Sequence, residues 1–247
     1  MILQDFHVHS VFSDGKHTPE EIILAALEKG MTAIGFSDHS YTAFDESYCI
    51  PKDRQTAYQS EIRSLAEKYK EHISVFCGIE QDFYSESAAA GTYDYSIGSV
   101  HYLKLGKEYI PVDESPAILL QAAEKYFNGD IYGLAEEYFK TVSQVIEKTN
   151  ADIIGHFDLI TKFNRDFVLF DENAPRYRKA AAEALQILLK SGRPFEINTG
   201  AISRGYQNRP YPAKEWIDAI QAGGGKLILS SDSHAKETLC YGFELFL

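Results

Sequence analysis

The chain has 247 residues, with 36 acidic and 24 basic side chains and a formal charge of −12, which fits one folded domain with a substantial core. The acidic balance argues against a broad nucleic-acid surface, and no apolar run reaches the ~20 residues that a membrane-spanning helix needs. Three scattered cysteines and a start without signal-peptide features predict a single cytoplasmic domain, residues 1–247, that binds neither nucleic acid nor membrane.

Short apolar runs that suit buried strands alternate with helical patterns along the chain. We predict strands at residues 2–8, 33–37, 73–79, 95–100, 152–155, 194–198 and 226–231. We predict helices at residues 18–29, 53–70, 116–127, 131–149, 175–190 and 212–222. The first helix opens with a capping box between Thr18 and Glu21, has Pro19 at its first position, and is followed by Gly30.

This alternation, with a helix expected after six of the seven strands, predicts an α/β fold with a parallel sheet and outer helices. A closed barrel is the economical arrangement for one domain of this size. The alternative is a doubly wound open sheet, but no Gly-x-Gly-x-x-Gly motif follows the first strand.

Six of the eight histidines end predicted strands or immediately follow them. His7 and His9 are two residues apart on the first strand, so their side chains face the same side. Asp14 lies in the turn that follows. The other strand ends carry His39, Glu80, His101, His156, Asp232 and His234. The carboxyl ends of the strands in a parallel barrel lie at one rim, so the pattern predicts a metal site there.

The composition of this ligand set restricts the metal. Imidazole and carboxylate ligands without thiolate favour Zn, Mn, Fe or Co over a cysteine-rich structural zinc site. Nine ligands are too many for one ion, so we expect two or three divalent ions, two of them bridged by Glu80 or a hydroxide. Bound cations would offset the local carboxylate charge, which allows an anionic substrate despite the net charge of −12.

The motifs resemble those of the polymerase and histidinol phosphatase (PHP) family over essentially the whole chain. The matching segments are His7-Val8-His9, Ser13-Asp14-Gly15, Phe36-Ser37-Asp38-His39, Gly78-Ile79-Glu80, Gly98-Ser99-Val100-His101, Gly155-His156 and Ser231-Asp232-Ser233-His234. The resemblance implies a distorted (β/α)7 TIM-like barrel with a trinuclear metal site at the C-terminal rim of the strands.

Carried over to this sequence, the resemblance also implies how the nine ligands divide among the ions. The first ion would be held by His7, His9, Glu80 and Asp232. The second would share Glu80 and add His101 and His156. The third would take Asp14, His39 and His234.

Other segments resemble the histidinol-phosphatase branch of the family. They are residues 155–160 with Lys162 and Arg165, and residues 196–199 with Arg204 and residues 211–212. This implies hydrolysis of histidinol phosphate, a step of histidine biosynthesis, by a metal-bound hydroxide. Arg165 and Arg204, with Lys162 as a third cation, would bind the phosphate. A metal-bound water, Asp14 or His234 would supply the leaving-group proton.

Three other functions fit the same pattern. A PHP-type enzyme could hydrolyse another small phosphorylated substrate or, less in keeping with the acidic surface, a nucleic acid. Metal amidohydrolases also carry His-x-His on a first strand, but they commonly place a carboxylated lysine where this chain has His101. A non-catalytic metal-binding domain is the third.

Residues 41–53 and 84–95 are long loops whose aromatic side chains could form walls over the substrate.

Overall fold

The computed structural model describes residues 3–87, 89 and 91–246. Seven parallel strands form one sheet, in which the order of the strands follows their order along the chain. They are β1 (Gln4–Asp5), β2 (Ala33–Phe36), β3 (Ser74–Asp82), β4 (Tyr95–Ser99), β7 (Ile153–Ile154), β8 (Phe195–Asn198) and β9 (Leu227–Ser230). The remaining two strands, β5 (Tyr102–Leu105) and β6 (Glu108–Pro111), form a separate antiparallel hairpin.

Eight α-helices were identified in the described residues, and the longer ones surround the sheet. They are α1 (Pro19–Glu28), α2 (Gln55–Tyr69), α3 (Pro116–Phe127), α4 (Ile131–Val142), α5 (Val145–Thr149), α6 (Pro175–Leu189), α7 (Gly200–Ser203) and α8 (Lys214–Ala222). Helix α1 begins with the predicted capping box, since the Thr18 hydroxyl accepts from the Glu21 amide and the Glu21 carboxylate accepts from the Thr18 amide. No helix in the described residues is long and apolar enough to cross a bilayer.

The sheet curves until its first and last strands approach each other. Beyond the end of β1, the amide of His9 donates to the carbonyl of Ser233 at 2.8 Å, and the amide of Ser233 donates to the carbonyl of His7 at 3.0 Å. These bonds and the bridge between Val8 and Ser233 leave the barrel nearly closed. The predicted barrel is confirmed, and the open doubly wound sheet is wrong.

Several predicted boundaries differ from those of the structure. Five of the seven parallel strands, rather than six, are followed by α-helices before the next strand, because the described residues between β3 and β4 contain none. The helix predicted at 131–149 is interrupted at Ser143 and Gln144. Strand β1 covers two residues of the predicted 2–8, of which Ile2 lies outside the described residues. The β5–β6 hairpin and α7 were not predicted.

The apolar core consists of two clusters that pack helices against the sheet. The first half of the chain contributes Ile34 of β2 and Ile62 of α2, among others. The second half contributes Phe139 of α4 and Leu185 of α6. Buried polar side chains instead gather inside the barrel, at the carboxyl ends of its strands. Burial of so many polar groups is unfavourable unless each finds a partner for its hydrogen bonds or its charge.

Candidate metal centre

The nine predicted ligands converge at the carboxyl rim of the barrel. Their ligand atoms form three overlapping groups, each with all its atoms within 4.8 Å of one another. The groups are His9, Asp14, His39 and His234; His7, His9 and Asp232; and His39, Glu80 and His101. His9 and His39 each belong to two groups. This grouping differs in detail from the division expected from the family resemblance, and His156 joins through its contact with Glu80.

Glu80 lies at the middle of the centre, within 3.3 Å of four imidazoles and 3.6 Å from Nε2 of His9. Its Oε2 is 3.2 Å from Nε2 of His7 and 2.9 Å from Nδ1 of His39. Its Oε1 is 3.3 Å from Nε2 of His101 and 2.9 Å from Nε2 of His156. Glu80 lies within β3, two residues before the end of the strand, so the sheet fixes its position. A carboxylate with both oxygens shared in this way is suited to bridge two cations.

Asp14 reaches the opposite side of the centre from the turn after β1. Its carboxylate oxygens lie 3.2 Å from Nε2 of His234, 3.7 Å from Nε2 of His39 and 3.8 Å from Nδ1 of His9. Because these three rings come from the two ends of the chain and from the segment after β2, the Asp14 carboxylate links distant segments.

The turn that carries Asp14 is held by the buried carboxylate of Asp38. Its Oδ1 accepts hydrogen bonds from the Ser10 amide at 2.8 Å, the Ser13 amide at 3.1 Å and the Ser13 hydroxyl at 2.6 Å. Gly15 closes the turn, and a Cβ there would lie 2.4 Å from the carbonyl oxygen of His9. Only glycine therefore fits this close approach of two backbone segments.

Asp232 connects two histidines to the guanidinium of Arg204. Its Oδ1 is 3.4 Å from Nε2 of His9 and 3.9 Å from Nε2 of His7, while its Oδ2 is 2.9 Å from Nη2 of Arg204. Burial alone would raise the pKa of Asp232, but Arg204 and His7 outweigh burial and hold that pKa well below its usual range. Asp232 is therefore an anion at neutral pH.

The charges of the other proposed ligands also depend on the balance between burial and nearby charges. Burial would raise the pKa of Glu80, but His7 and His39 hold it well below its usual range. Burial, together with the nearby His234 and His39, lowers the pKa of His9 to about 3. Burial would lower the pKa of His7, His39 and His101, but the nearby carboxylates outweigh burial and raise all three, that of His101 to about 9. The metal-free centre thus holds ionised carboxylates, a neutral His9 and protonated imidazoles, whose protons a bound cation would displace.

Five buried polar atoms at this centre have no hydrogen-bond partner within the described part of the chain. They are Nε2 of His7, both ring nitrogens of His9, Oε2 of Glu80 and Nδ1 of His156. Unpaired buried polar atoms are rare because each loses its interactions with water. Their clustering among imidazoles and carboxylates fits divalent cations, whose bonds to these atoms would supply the missing partners.

A cavity of about 360 Å³ lies against the centre. Of the predicted ligands, it is lined by Asp14, His39, His101, His156, Asp232 and His234. Arg204 and Lys162 also line it, and Lys162 lies 3.1 Å from the carboxylate of Asp113. Arg165 does not: its side chain is 53% exposed and lies 4.0 Å from Asp166. The structure thus brings two of the three predicted phosphate-binding cations to the cavity.

The cavity is also lined by nine residues outside the predicted site. They are Asp45, Ser47, Tyr48, Tyr102, Pro111, Asp113, Glu114, Leu159 and Tyr206. Tyr102 of β5 donates to Asp45 at 2.6 Å, which ties the hairpin to the loop after β2. The predicted contribution of residues 41–53 is therefore present, whereas the described residues of 84–95 do not line this cavity. The β5–β6 hairpin, which was not predicted, supplies Tyr102 and Pro111 to the lining of the cavity.

A parallel barrel with a histidine and carboxylate centre at its carboxyl rim defines a metal-dependent hydrolase. The chain belongs to the PHP domain family, whose sequence model matches residues 5–200. Asp232 and His234 lie beyond the matched span.

Comparisons over the whole chain agree with this family. A probable histidinol-phosphatase from Schizosaccharomyces pombe is 26% identical over 246 residues, covering 92% of this chain and 78% of the relative. The crystal structure of hisK from Listeria monocytogenes superimposes with a TM-score of 0.83 at 19% identity, over 99% of this chain and 100% of the other. Histidinol phosphate phosphatase from Lactococcus lactis was solved with zinc, L-histidinol and phosphate. It superimposes with a TM-score of 0.72 at 21% identity, over 98% of this chain and 92% of the other. The structural comparisons show the same fold.

Proposed function

We propose that this protein is a metal-dependent phosphomonoesterase that hydrolyses L-histidinol phosphate to L-histidinol and inorganic phosphate. The observation that carries the proposal is the position of Glu80 within 3.3 Å of four imidazoles, beside a cavity that also contains Arg204 and Lys162. The names of the relatives supply the substrate, and the Lactococcus lactis protein binds zinc, L-histidinol and phosphate.

Two or three divalent ions, with zinc, manganese and iron as the candidates, would be held by the nine converging side chains. They are His7, His9, Asp14, His39, Glu80, His101, His156, Asp232 and His234. Bound there, the ions would supply Lewis-acid activation of water and neutralise charge on the phosphoryl oxygens.

The protein's own cations would orient the phosphate. Arg204 presents a planar guanidinium, with Nη1 2.8 Å from the carbonyl oxygen of Asp232 and 3.1 Å from Nδ1 of His234. A guanidinium fixed in this way can donate two parallel hydrogen bonds to a phosphate. Lys162 offers a second positive charge at the cavity wall. Asp14 and His234, the two side-chain candidates for the proton donor, both line the cavity.

The substrate is tested by measuring phosphate release from histidinol phosphate beside a panel of sugar phosphates, nucleotides and p-nitrophenyl phosphate. We expect the highest kcat/KM for histidinol phosphate. A clear preference for another phosphate ester would overturn the substrate and keep the phosphatase. Metal binding without release of phosphate from any ester would instead indicate a non-catalytic metal-binding domain.

The residues are tested by two substitutions. Glu80→Ala should strip the bound metal and abolish turnover, because four imidazoles lose their shared carboxylate. Arg204→Ala should raise KM or lower kcat while leaving most of the metal bound. Full activity with an undiminished metal content in Glu80→Ala would contradict the proposed mechanism, and unchanged kinetics in Arg204→Ala would remove that residue from the phosphate pocket.

A further inference from the structure

One strand of the barrel differs from the other six in what it contributes to the centre. Strands β1, β2, β3, β4, β7 and β9 each carry at least one of the nine proposed ligands at or just beyond the carboxyl end. Strand β8 carries none of the nine. It instead presents Glu196 and Asn198, two residues apart and therefore on the same face, and both side chains are completely buried.

Glu196 contacts two of the proposed ligands directly. Its Oε1 lies 2.6 Å from Nδ1 of His7. Its Oε2 accepts a hydrogen bond from the backbone amide of His156 at 3.1 Å and another from Nδ2 of Asn198 at 3.3 Å. The same amide group of Asn198 lies 3.3 Å from Oδ2 of Asp232. Glu196 and Asn198 therefore contact three proposed ligands, His7, His156 and Asp232, which follow three other strands.

The contact with His7 determines which ring nitrogen faces the centre. A carboxylate only accepts hydrogen bonds, so Nδ1 of His7 must be the donor to Glu196. Nε2 then points at the cluster, 3.2 Å from Glu80 and 3.9 Å from Asp232. That nitrogen has no hydrogen-bond partner in the described residues. A cation that displaces the proton of this nitrogen would bind its lone pair, and the anionic partner on Nδ1 makes the imidazole a stronger ligand.

We propose that Glu196 is a positioning residue that holds His7 in the orientation and tautomer that bind metal. This inference rests on the proposed metal centre and not on the identity of the substrate. Carboxylates that accept from the second nitrogen of a ligating histidine typically contribute 10- to 100-fold to metal affinity. The Asn198 amide keeps Glu196 and Asp232 at fixed positions relative to each other.

The test compares Glu196→Gln with Glu172→Gln. Glutamine keeps the size and one acceptor oxygen of residue 196 but removes the charge. Glu172 is a matched control because it is also a buried glutamate in an ion pair, with Arg209, but it contacts none of the nine ligands. Zinc affinity is measured by chelator competition on the full chain, and the thermal midpoint of the metal-free protein is measured alongside it. We expect about 10- to 100-fold weaker zinc binding in Glu196→Gln and unchanged binding in Glu172→Gln.

A second measurement needs no variant and so remains decisive if Glu196→Gln does not fold. In the zinc-loaded wild-type protein, long-range ¹H–¹⁵N spectra should place a slowly exchanging proton on Nδ1 of His7. Wild-type zinc affinity in Glu196→Gln, an equal loss in Glu172→Gln, or a proton on Nε2 of His7 would each overturn the inference. Absence of phosphatase activity in the wild-type protein, with weakened zinc binding in Glu196→Gln, would overturn the proposed function alone.

Discussion

Gly200 leaves space for the contact between Arg204 and Asp232. A Cβ at residue 200 would lie 2.6 Å from Nη2 of Arg204 and 2.9 Å from Oδ2 of Asp232, two groups that are themselves 2.9 Å apart. Non-bonded carbon keeps about 3.5 Å from its neighbours, so Gly200→Ala must displace the guanidinium by about 0.9 Å. The methyl group would therefore separate a proposed phosphate ligand from a proposed metal ligand without changing either residue.

A shift of about 1 Å at a positioning group lowers catalysis by about 100-fold, equivalent to about 2.7 kcal/mol in the activation free energy. We therefore expect Gly200→Ala to reduce kcat/KM for histidinol phosphate by about this factor and to weaken inhibition by inorganic phosphate. Overpacking should also lower the free energy of unfolding by about 1–3 kcal/mol.

Gly192→Ala separates the two effects. Gly192 has a φ of 68°, and its Cβ would meet nothing within 4 Å. Alanine there should reduce the free energy of unfolding by about 1–2 kcal/mol through backbone strain alone, with unchanged kinetics. If Gly200→Ala retained wild-type kcat/KM and wild-type inhibition by phosphate, the reasoning about this contact would be refuted.

Three further predictions concern the metal centre and the core. Ions present at about 100 times their dissociation constant stabilise the fold by about 2.7 kcal/mol, so a chelator should lower the thermal midpoint by about 5–10 °C in scanning fluorimetry. Glu80→Ala should abolish that difference; a chelator effect that survives the substitution would place the ions elsewhere. Asp38→Asn should release the turn that carries Asp14 and reduce the metal content measured by mass spectrometry, and a full complement of metal would contradict this role. Burial raises the pKa of Cys77 to about 12, so this thiol should resist a disulfide reagent at pH 8 until the chain unfolds; rapid labelling of Cys77 in the native protein would be the opposite result.

The convergence of the proposed metal ligands could be predicted from the sequence because all of them except Asp14, which lies in a turn, end or closely follow an apolar run. A strand end is a local property, and the rule that parallel strands share one rim brings these ends together without knowledge of side-chain contacts. The barrel was predictable for the same reason. The position of His39 between Asp14 and Glu80 could not be predicted from the sequence. It depends on the curvature of the sheet and on the geometry of a turn held by Asp38.

The directions of side chains on loops were harder to predict from the sequence. Arg165 follows a barrel strand in the sequence, as a phosphate ligand would, but the backbone of the next two residues has positive φ, 57° at Asp166 and 59° at Phe167. The Arg165 side chain points into solvent. The β5–β6 hairpin was missed because its strands of four residues immediately follow β4, so Asp113 and its contact with Lys162 were missed as well.

Closure of the barrel determines when the centre can form during synthesis. His7 and His9 leave the ribosome well before their partners, because Ser233 and Asp232 lie in the segment that follows strand β9. More than 200 residues separate these partners in the chain. Contacts of such long sequence separation form late in folding because closing the intervening loop is entropically unfavourable. A nascent chain thus carries incomplete ligand sets throughout elongation, and the complete set is assembled only after β9 is available to close the barrel.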